Sequence, residues 1–237
     1  MAAVEDDLKV LRTEPILREM ALEKLRNAIL ACRFRPGDRL VERDLCNHLG
    51  VSRSIVREIL RHLEAEGLVA TIPFRGPIVA RPDRDEALEI YAIRALLESD
   101  AAAAFAVSAT NDAKSALAAD LDVIVKAYAT QDPLRVIATT TQFYRRLFTG
   151  GGRRVAWQLV RSLNARINLL RAMTISSPAR SADGPRELAL IVKAIEAGDP
   201  EAARAASVAH VESAAAIAFQ LLADGSNPDR DESAKPS

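Results

Sequence analysis

The chain has 237 residues, balances 32 basic against 32 acidic side chains for a formal net charge of +0, and is 49% hydrophobic but only 4% aromatic. Neutral overall charge excludes a protein that grips nucleic acid through bulk positive potential, so any such affinity has to come from local clustering of cations. Two cysteines exclude a disulfide framework, no stretch approaches the roughly 20 apolar residues that cross a bilayer, and the acidic start Glu5, Asp6, Asp7 is unlike a secretory signal.

These features point to a cytoplasmic protein with no membrane partner. The apolar surplus is Ala and Leu, which favour helix, so a mainly α fold is expected. Cys32 and Cys46 lie among apolar residues and are expected to pack as small hydrophobes.

In chain order, Ile16, Met20, Leu25, Ile29 and Leu30 recur at helical spacing behind Pro15, which suits a first turn. Pro36 and Gly37 break this helix, and a short second one from about Val41 ends at Gly50. A third opens at Ser52, a good N-cap, and runs to Glu66 with Gly67 as terminator. Val56, Ile59, Leu60 and Leu63 make its apolar stripe, and Arg53, Arg57, Arg61 and Glu64 lie opposite. Val69–Ile72 and Ile78–Ala80 are short and β-branched. With Pro73-Phe74-Arg75-Gly76-Pro77 between them, they predict a small two-stranded wing with an arginine at its tip.

Pro82-Asp83-Arg84 marks a junction, after which five or six Ala-rich helices are expected. Breaks fall at Thr110-Asn111-Asp112, Asp132-Pro133, Gly150-Gly151-Gly152 (a flexible connector), the loop from Ser176 to Gly184, and Gly198-Asp199-Pro200. The expected domains are 1–82, 83–223 and a disordered tail over 224–237, where almost nothing can be buried.

The stretch Pro36-Gly37-Asp38-Arg39-Leu40, Leu45, Leu49-Gly50-Val51-Ser52-Arg53-Ser54, Val56-Arg57-Glu58 and Glu66-Gly67-Leu68-Val69 closely resembles the winged helix-turn-helix of the GntR family, over roughly residues 15–80. The resemblance implies that the third helix enters the major groove of double-stranded DNA, with Arg43, Ser52, Arg53, Ser54 and Arg57 facing DNA and Arg75 and Gly76 at a wing near the minor groove. The chemistry agrees, because Arg grips guanine through two parallel hydrogen bonds and helix N-terminal amides hold phosphate.

The later helices resemble the FadR subfamily's effector domain, called FCD. Arg94, Leu97 and Glu98 match its Arg-x-x-Leu-Glu, and Ala194-Ile195, Gly198-Asp199 and Ala202 match its late hairpin. Many such domains hold a divalent metal through an Asp and a His four residues apart and two later His. The matching positions here are Thr140, Tyr144, Leu188 and His210, so only the last imidazole is kept and no metal or other cofactor is expected.

The same positions, with Arg94, are expected to line a metal-free effector pocket inside the helical bundle, with Arg166 and Arg171 as further candidate anchors. Two alternatives stay open: Arg94 and Glu98 as a purely structural pair, and His210 as a satisfied interior histidine.

No phosphate-cradling glycine loop, nucleophile elbow or HExxH motif is present, so an enzyme is not expected. The resemblance implies a homodimeric transcriptional regulator, more often a repressor, that sits on a pseudo-palindromic operator and answers to a small-molecule effector. The alternative keeps the DNA module and makes the C-terminal domain a ligand-blind dimerisation scaffold.

Overall fold

The computed structural model describes residues 15–175 and 177–225. These residues divide into two units, one of residues 15–29 and 33–80, the other of residues 30–32 and 81–225.

In the first unit, α1 (Pro15–Leu30), α2 (Glu42–Leu49) and α3 (Arg53–Ala65) precede the antiparallel strands β1 (Val69–Ile72) and β2 (Gly76–Val79). Gly50, at φ 67°, stops α2 in the left-handed region that glycine adopts without a Cβ penalty. Two residues on, the Ser52 hydroxyl accepts from the Ile55 amide and caps α3. The stripe of α3 is buried as its spacing requires, with Val56, Ile59, Leu60 and Leu63 packed inward. Arg26 of α1 reaches the far end of α3, its Nε and Nη2 donating to Glu66 at 3.0 and 2.7 Å.

The wing begins earlier in β2 than expected. Ile72 pairs with Gly76 and Val69 with Val79, and Pro77 is tolerated because its backbone polar side faces away from β1, its carbonyl accepting from Leu40, so the hairpin asks for no amide there. In the turn, the Arg75 amide donates to Ile72 O at 3.1 Å, with Pro73 second and Phe74 third at φ 65°. That is the type II pattern, in which the third position normally belongs to glycine.

The second unit is all helical: α4 (Arg84–Ser108), α5 (Asn111–Ala129), α6 (Pro133–Gly150), α7 (Arg154–Ser162), α8 (Asn164–Ile175), α9 (Pro178–Glu196) and α10 (Pro200–Gly225). Asp83, Thr110 and Asp132 cap α4, α5 and α6 through their side-chain oxygens. α10 packs chiefly against α4 and α9, and α5 against α6 and α9, around Phe105, Phe143, Leu147, Phe148 and Ile195.

Several expectations are corrected. Seven helices replace five or six, because the chain breaks at Leu163 with no Gly or Pro to announce it. The Ser176–Gly184 loop is mostly the start of α9, with Pro178 in the first turn and Pro185 inside the helix. Proline lacks the amide that would bond Ser181 O, so this helix continues with one rung missing. Asp224 and Gly225 end α10, and the rest of the expected tail lies outside the described residues. Cys32 is exposed, with φ 55°, and Cys46 is half-buried, so neither is a core hydrophobe. Finally, Pro200–Ala223 has the length and mean hydropathy (1.3) of a membrane-spanning helix, contrary to the reading that nothing approaches one. Alanine supplies that hydropathy, and Ala203, Ser207, His210, Val211, Ala214 and Ala218 are buried within the unit.

The glycine run is also more than a flexible connector. A methyl group on Gly150 would strike the buried Phe105 ring, and one on Gly151 would stand 2.9 Å from Ala101 O and 3.1 Å from the Phe105 amide. The absent side chains let the end of α6 lie against the backbone of α4, which cannot easily withdraw. Gly151→Ala should therefore cost about 1–3 kcal/mol through overpacking, read as a lower urea midpoint at unchanged slope.

Candidate nucleic-acid interface and buried cavity

The exposed surface at the start of α3 gathers the first group of candidates. Ser52, Arg53, Ser54 and Arg57 are exposed on α3, and Arg43 is exposed on the neighbouring α2. Ser52 Oγ and Ser54 Oγ lie 2.8 Å apart, and Arg57 Nε donates to both Glu42 carboxylate oxygens at 3.0 Å. That pair raises the Arg57 pKa further and orients its guanidinium without burying it. Arg53 has no comparable carboxylate partner among the described residues.

At the other end of α3, the Thr71 amide donates to Glu64 Oε1 at 3.1 Å, which ties the wing to the helix. Arg75 is exposed at the wing tip, Gly76 is half-buried where β2 begins, and the Phe74 side chain is fully exposed. Arg61 and His62 are exposed farther along α3, and His62 faces Glu66 at 3.2 Å.

The second group surrounds a small polar cavity in the helical unit, lined by Tyr91, Arg94, Tyr128, Thr140, Arg171, Thr174, Arg180, Leu188, His210 and Ala214. Its volume is about 10 Å³, room for a single water. Arg94, Thr140, Leu188 and His210 of the expected pocket meet here. Tyr144 does not enter the lining. It is buried alongside, edge-on to Phe143, and burial together with the Glu98 carboxylate raises the pKa of its hydroxyl. Arg166 lies elsewhere, 3.5 Å from Glu86.

Two ion pairs organise the walls. Arg94 Nε donates to Glu98 Oε1 at 2.8 Å with both side chains buried, and the guanidinium lies 5.3 Å from the Tyr91 ring centroid. Burial alone would lower the Arg94 pKa, but the Glu98 carboxylate raises it above its ordinary value. Arg94 is thus both a member of a structural pair and part of the cavity wall.

On α9, Arg180 Nη1 donates to Glu187 Oε2 at 2.5 Å. The same oxygen lies 2.9 Å from His210 Nδ1, and Arg180 Nη2 is 3.2 Å from His210 Nε2. Acceptor-only Glu187 and donor-only Arg180 fix the tautomer: Nδ1 carries the proton to Glu187 and Nε2 accepts from Arg180. Desolvation, with Arg180 and Arg94 nearby, holds His210 down at about 4 despite the Glu187 hydrogen bond. Burial pushes Glu187 up, but the His210 bond and the Arg180 charge hold it at about 2.

These residues do not suit a metal. Thr140 Oγ1 donates to Val136 O at 2.6 Å, Leu188 offers no donor atom, and a guanidinium stands against the one imidazole. Among the described residues no group of three or more His, Cys, Asp and Glu could hold an ion.

Arg180 and Glu187 were missed in the sequence because their segment carries loop-forming Ser, Pro and Gly. Their spacing of seven, two helical turns on one face, is the signal that finds them. Tyr91 and Tyr128 belong to different helices, and no local pattern joins them.

The Bacterial regulatory proteins, gntR family model matches residues 17–79, and the FCD domain model matches residues 89–213. The chain is 28% identical over 207 residues to an uncharacterized HTH-type transcriptional regulator, YdhC, of Bacillus subtilis (strain 168), covering 86% of this chain and 92% of that one. A crystal structure of a putative transcriptional regulator GntR from Rhodococcus sp. RHA1 superposes with a TM-score of 0.73 at 30% identity, over 87% of this chain and 97% of that one. E. coli McbR/YncC shares the fold, with a TM-score of 0.69 at 22% identity over 86% and 97%. With a winged helix-turn-helix and a helical FCD domain matched in succession, the chain belongs to the GntR family of DNA-binding transcriptional regulators.

Proposed function

We propose that this regulator is a cytoplasmic homodimer that represses transcription from a pseudo-palindromic operator and is controlled by a small molecule bound in its helical domain. The observation that carries the reading is the exposed start of α3, where Ser52, Arg53, Ser54 and Arg57 project together beside Arg43. In a winged helix-turn-helix this end of the helix meets base edges, and two-fold symmetry of the protein is mirrored in its half-sites. Arg75 and Gly76 supply a wing contact.

Control by an effector draws support from the polar cavity, since a cluster of charged groups in an apolar bundle is costly unless it has a use. A ligand that prefers one of two arrangements of the dimer shifts operator affinity by its differential binding. The second reading, a ligand-blind scaffold, is favoured by the cavity's volume of about 10 Å³.

Arg53→Ala should weaken operator binding by about 1–3 kcal/mol with the dimer intact, measured by fluorescence anisotropy on DNA upstream of the protein's own and adjacent genes. Arg57→Ala should weaken it too, because it also leaves Glu42 as a bare carboxylate on the reading face. Unchanged affinity in both variants overturns the assignment of that face. A metabolite screen that raises the melting temperature and alters operator affinity separates effector control from the scaffold.

A further inference from the structure

The tip of the wing holds a residue that the fold does not need there. Phe74 is the third residue of the turn between β1 and β2, at φ 65°, and its side chain is fully exposed. Every other left-handed backbone position described in the first unit, at Gly37, Gly50, Gly67 and Gly76, is glycine. A Cβ disfavours that conformation and a bulky ring suits it least, so glycine would fit the turn better than phenylalanine. A single exposed apolar side chain is ordinary on a protein surface, and exposure alone marks no site. Here exposure and backbone strain fall on the same residue.

The turn is built to hold the ring out. Pro73 fixes φ at the second turn position, the Arg75 amide closes the turn on Ile72 O at 3.1 Å, and the Thr71 amide bonds Glu64 of α3. The ring therefore stands on a braced arm fastened to the helix that carries Arg53 and Arg57. Ile72 and Pro73 are exposed beside it, and Arg75 is exposed with no carboxylate partner among the described residues. An apolar point next to an unpaired cation matches the minor groove of a duplex. The negative potential of the groove attracts the guanidinium, and a side chain pushed between two base pairs is sheltered from water.

We propose that Phe74 is an apolar wedge: while α3 occupies the major groove, the ring enters the neighbouring minor groove and partly unstacks one base step, with Arg75 lying along the groove. This goes beyond a wing that only touches the duplex, and it rests on the DNA-reading assignment of the first unit made above. The wedge reads no base edge. Its selectivity comes from deformability, because TA and CA/TG steps open at lower cost than G·C-rich ones. The operator thus carries a preference at a step that no side chain of α3 contacts, repeated in each half-site by the two-fold symmetry of the dimer.

The test uses the full chain and the duplex it prefers from a random-sequence pool. Phe74→Gly removes the strain at the left-handed position, so the urea midpoint should stay at or above that of the parent. Its affinity for the preferred duplex should nevertheless fall about tenfold, the scale of one lost contact between a base and an aromatic ring. Phe74→Leu keeps an apolar wedge and should retain most of the affinity. With 2-aminopurine replacing each adenine in turn, binding of the parent and of Phe74→Leu should brighten one step in each half-site, and Phe74→Gly should leave it dark. Exchanging that step for GG/CC should weaken the parent and leave Phe74→Gly unchanged. The proposal is overturned if Phe74→Gly binds as the parent does, or if its affinity falls while the parent brightens no step. Arg53→Ala and Arg57→Ala, measured alongside, separate two failures. If they weaken binding and Phe74→Gly does not, the wedge falls and the reading face stands; if all three are silent, or no duplex is preferred, the DNA-reading assignment falls with it.

Discussion

Arg94→Ala should destabilise the helical unit by about 3–5 kcal/mol, the cost of leaving a buried carboxylate without its counter-charge. Glu98 is buried at 1% exposure and its Oε1 accepts from Arg94 at 2.8 Å, so water cannot replace the lost guanidinium. The loss should appear as a lower urea midpoint. The double variant Arg94→Met/Glu98→Leu should recover most of it, because an apolar pair of similar volume pays no desolvation penalty. A single variant within 1 kcal/mol of the parent would show that the pair is hydrated in solution and that the cavity wall is not dry.

Stability should also fall as the medium is acidified from about pH 6.5 toward 4, by about 3 kcal/mol for the His210 contribution alone. In the unfolded chain this imidazole protonates near 6.5, whereas in the folded state burial and the Arg180 and Arg94 cations hold it at about 4. Between those values the unfolded chain binds more protons, so stability rises with pH and is lost as pH drops. Glu187, held at about 2 against an ordinary 4.5, adds a further loss of the same sign at lower pH. The charged groups facing His210 are Arg180 and Glu187 from α9 and Arg94 and Glu98 from α4. His210→Gln should flatten the slope of unfolding free energy between pH 6.5 and 4.5. An unchanged slope would mean that the imidazole titrates as an exposed one does.

The first unit was legible because its signals are local. Gly50, Ser52 and Gly67 each set one backbone position, and the period of Val56, Ile59, Leu60 and Leu63 states which side of α3 is inward. The strand β2 was read short because Gly76 and Pro77 were counted as turn, and the pairing to Thr71 and Ile72 is not written in either residue.

The helical unit was legible where caps punctuate it and opaque where they do not. Leu163 breaks α7 from α8 with no helix-breaking residue, and Pro185 sits in a helix that local rules would end. The cavity positions Arg94 on α4, Thr140 on α6, Leu188 on α9 and His210 on α10 followed from the family resemblance, which also named Tyr144, a residue outside the lining. That Arg171 bonds the neutral Asn168 amide could not be read, because it depends on which arginines find carboxylates in three dimensions.

The missing rung at Pro185 splits α9 energetically. The turns before it keep their own amide bonds but are joined to the rest by one bond fewer, and Arg180 adds a side-chain tie whose grip depends on Glu187 keeping its charge. That part of the helix can therefore unzip without the remainder, and its amides should trade hydrogen with solvent sooner than those of Ala189–Glu196, most readily in acid.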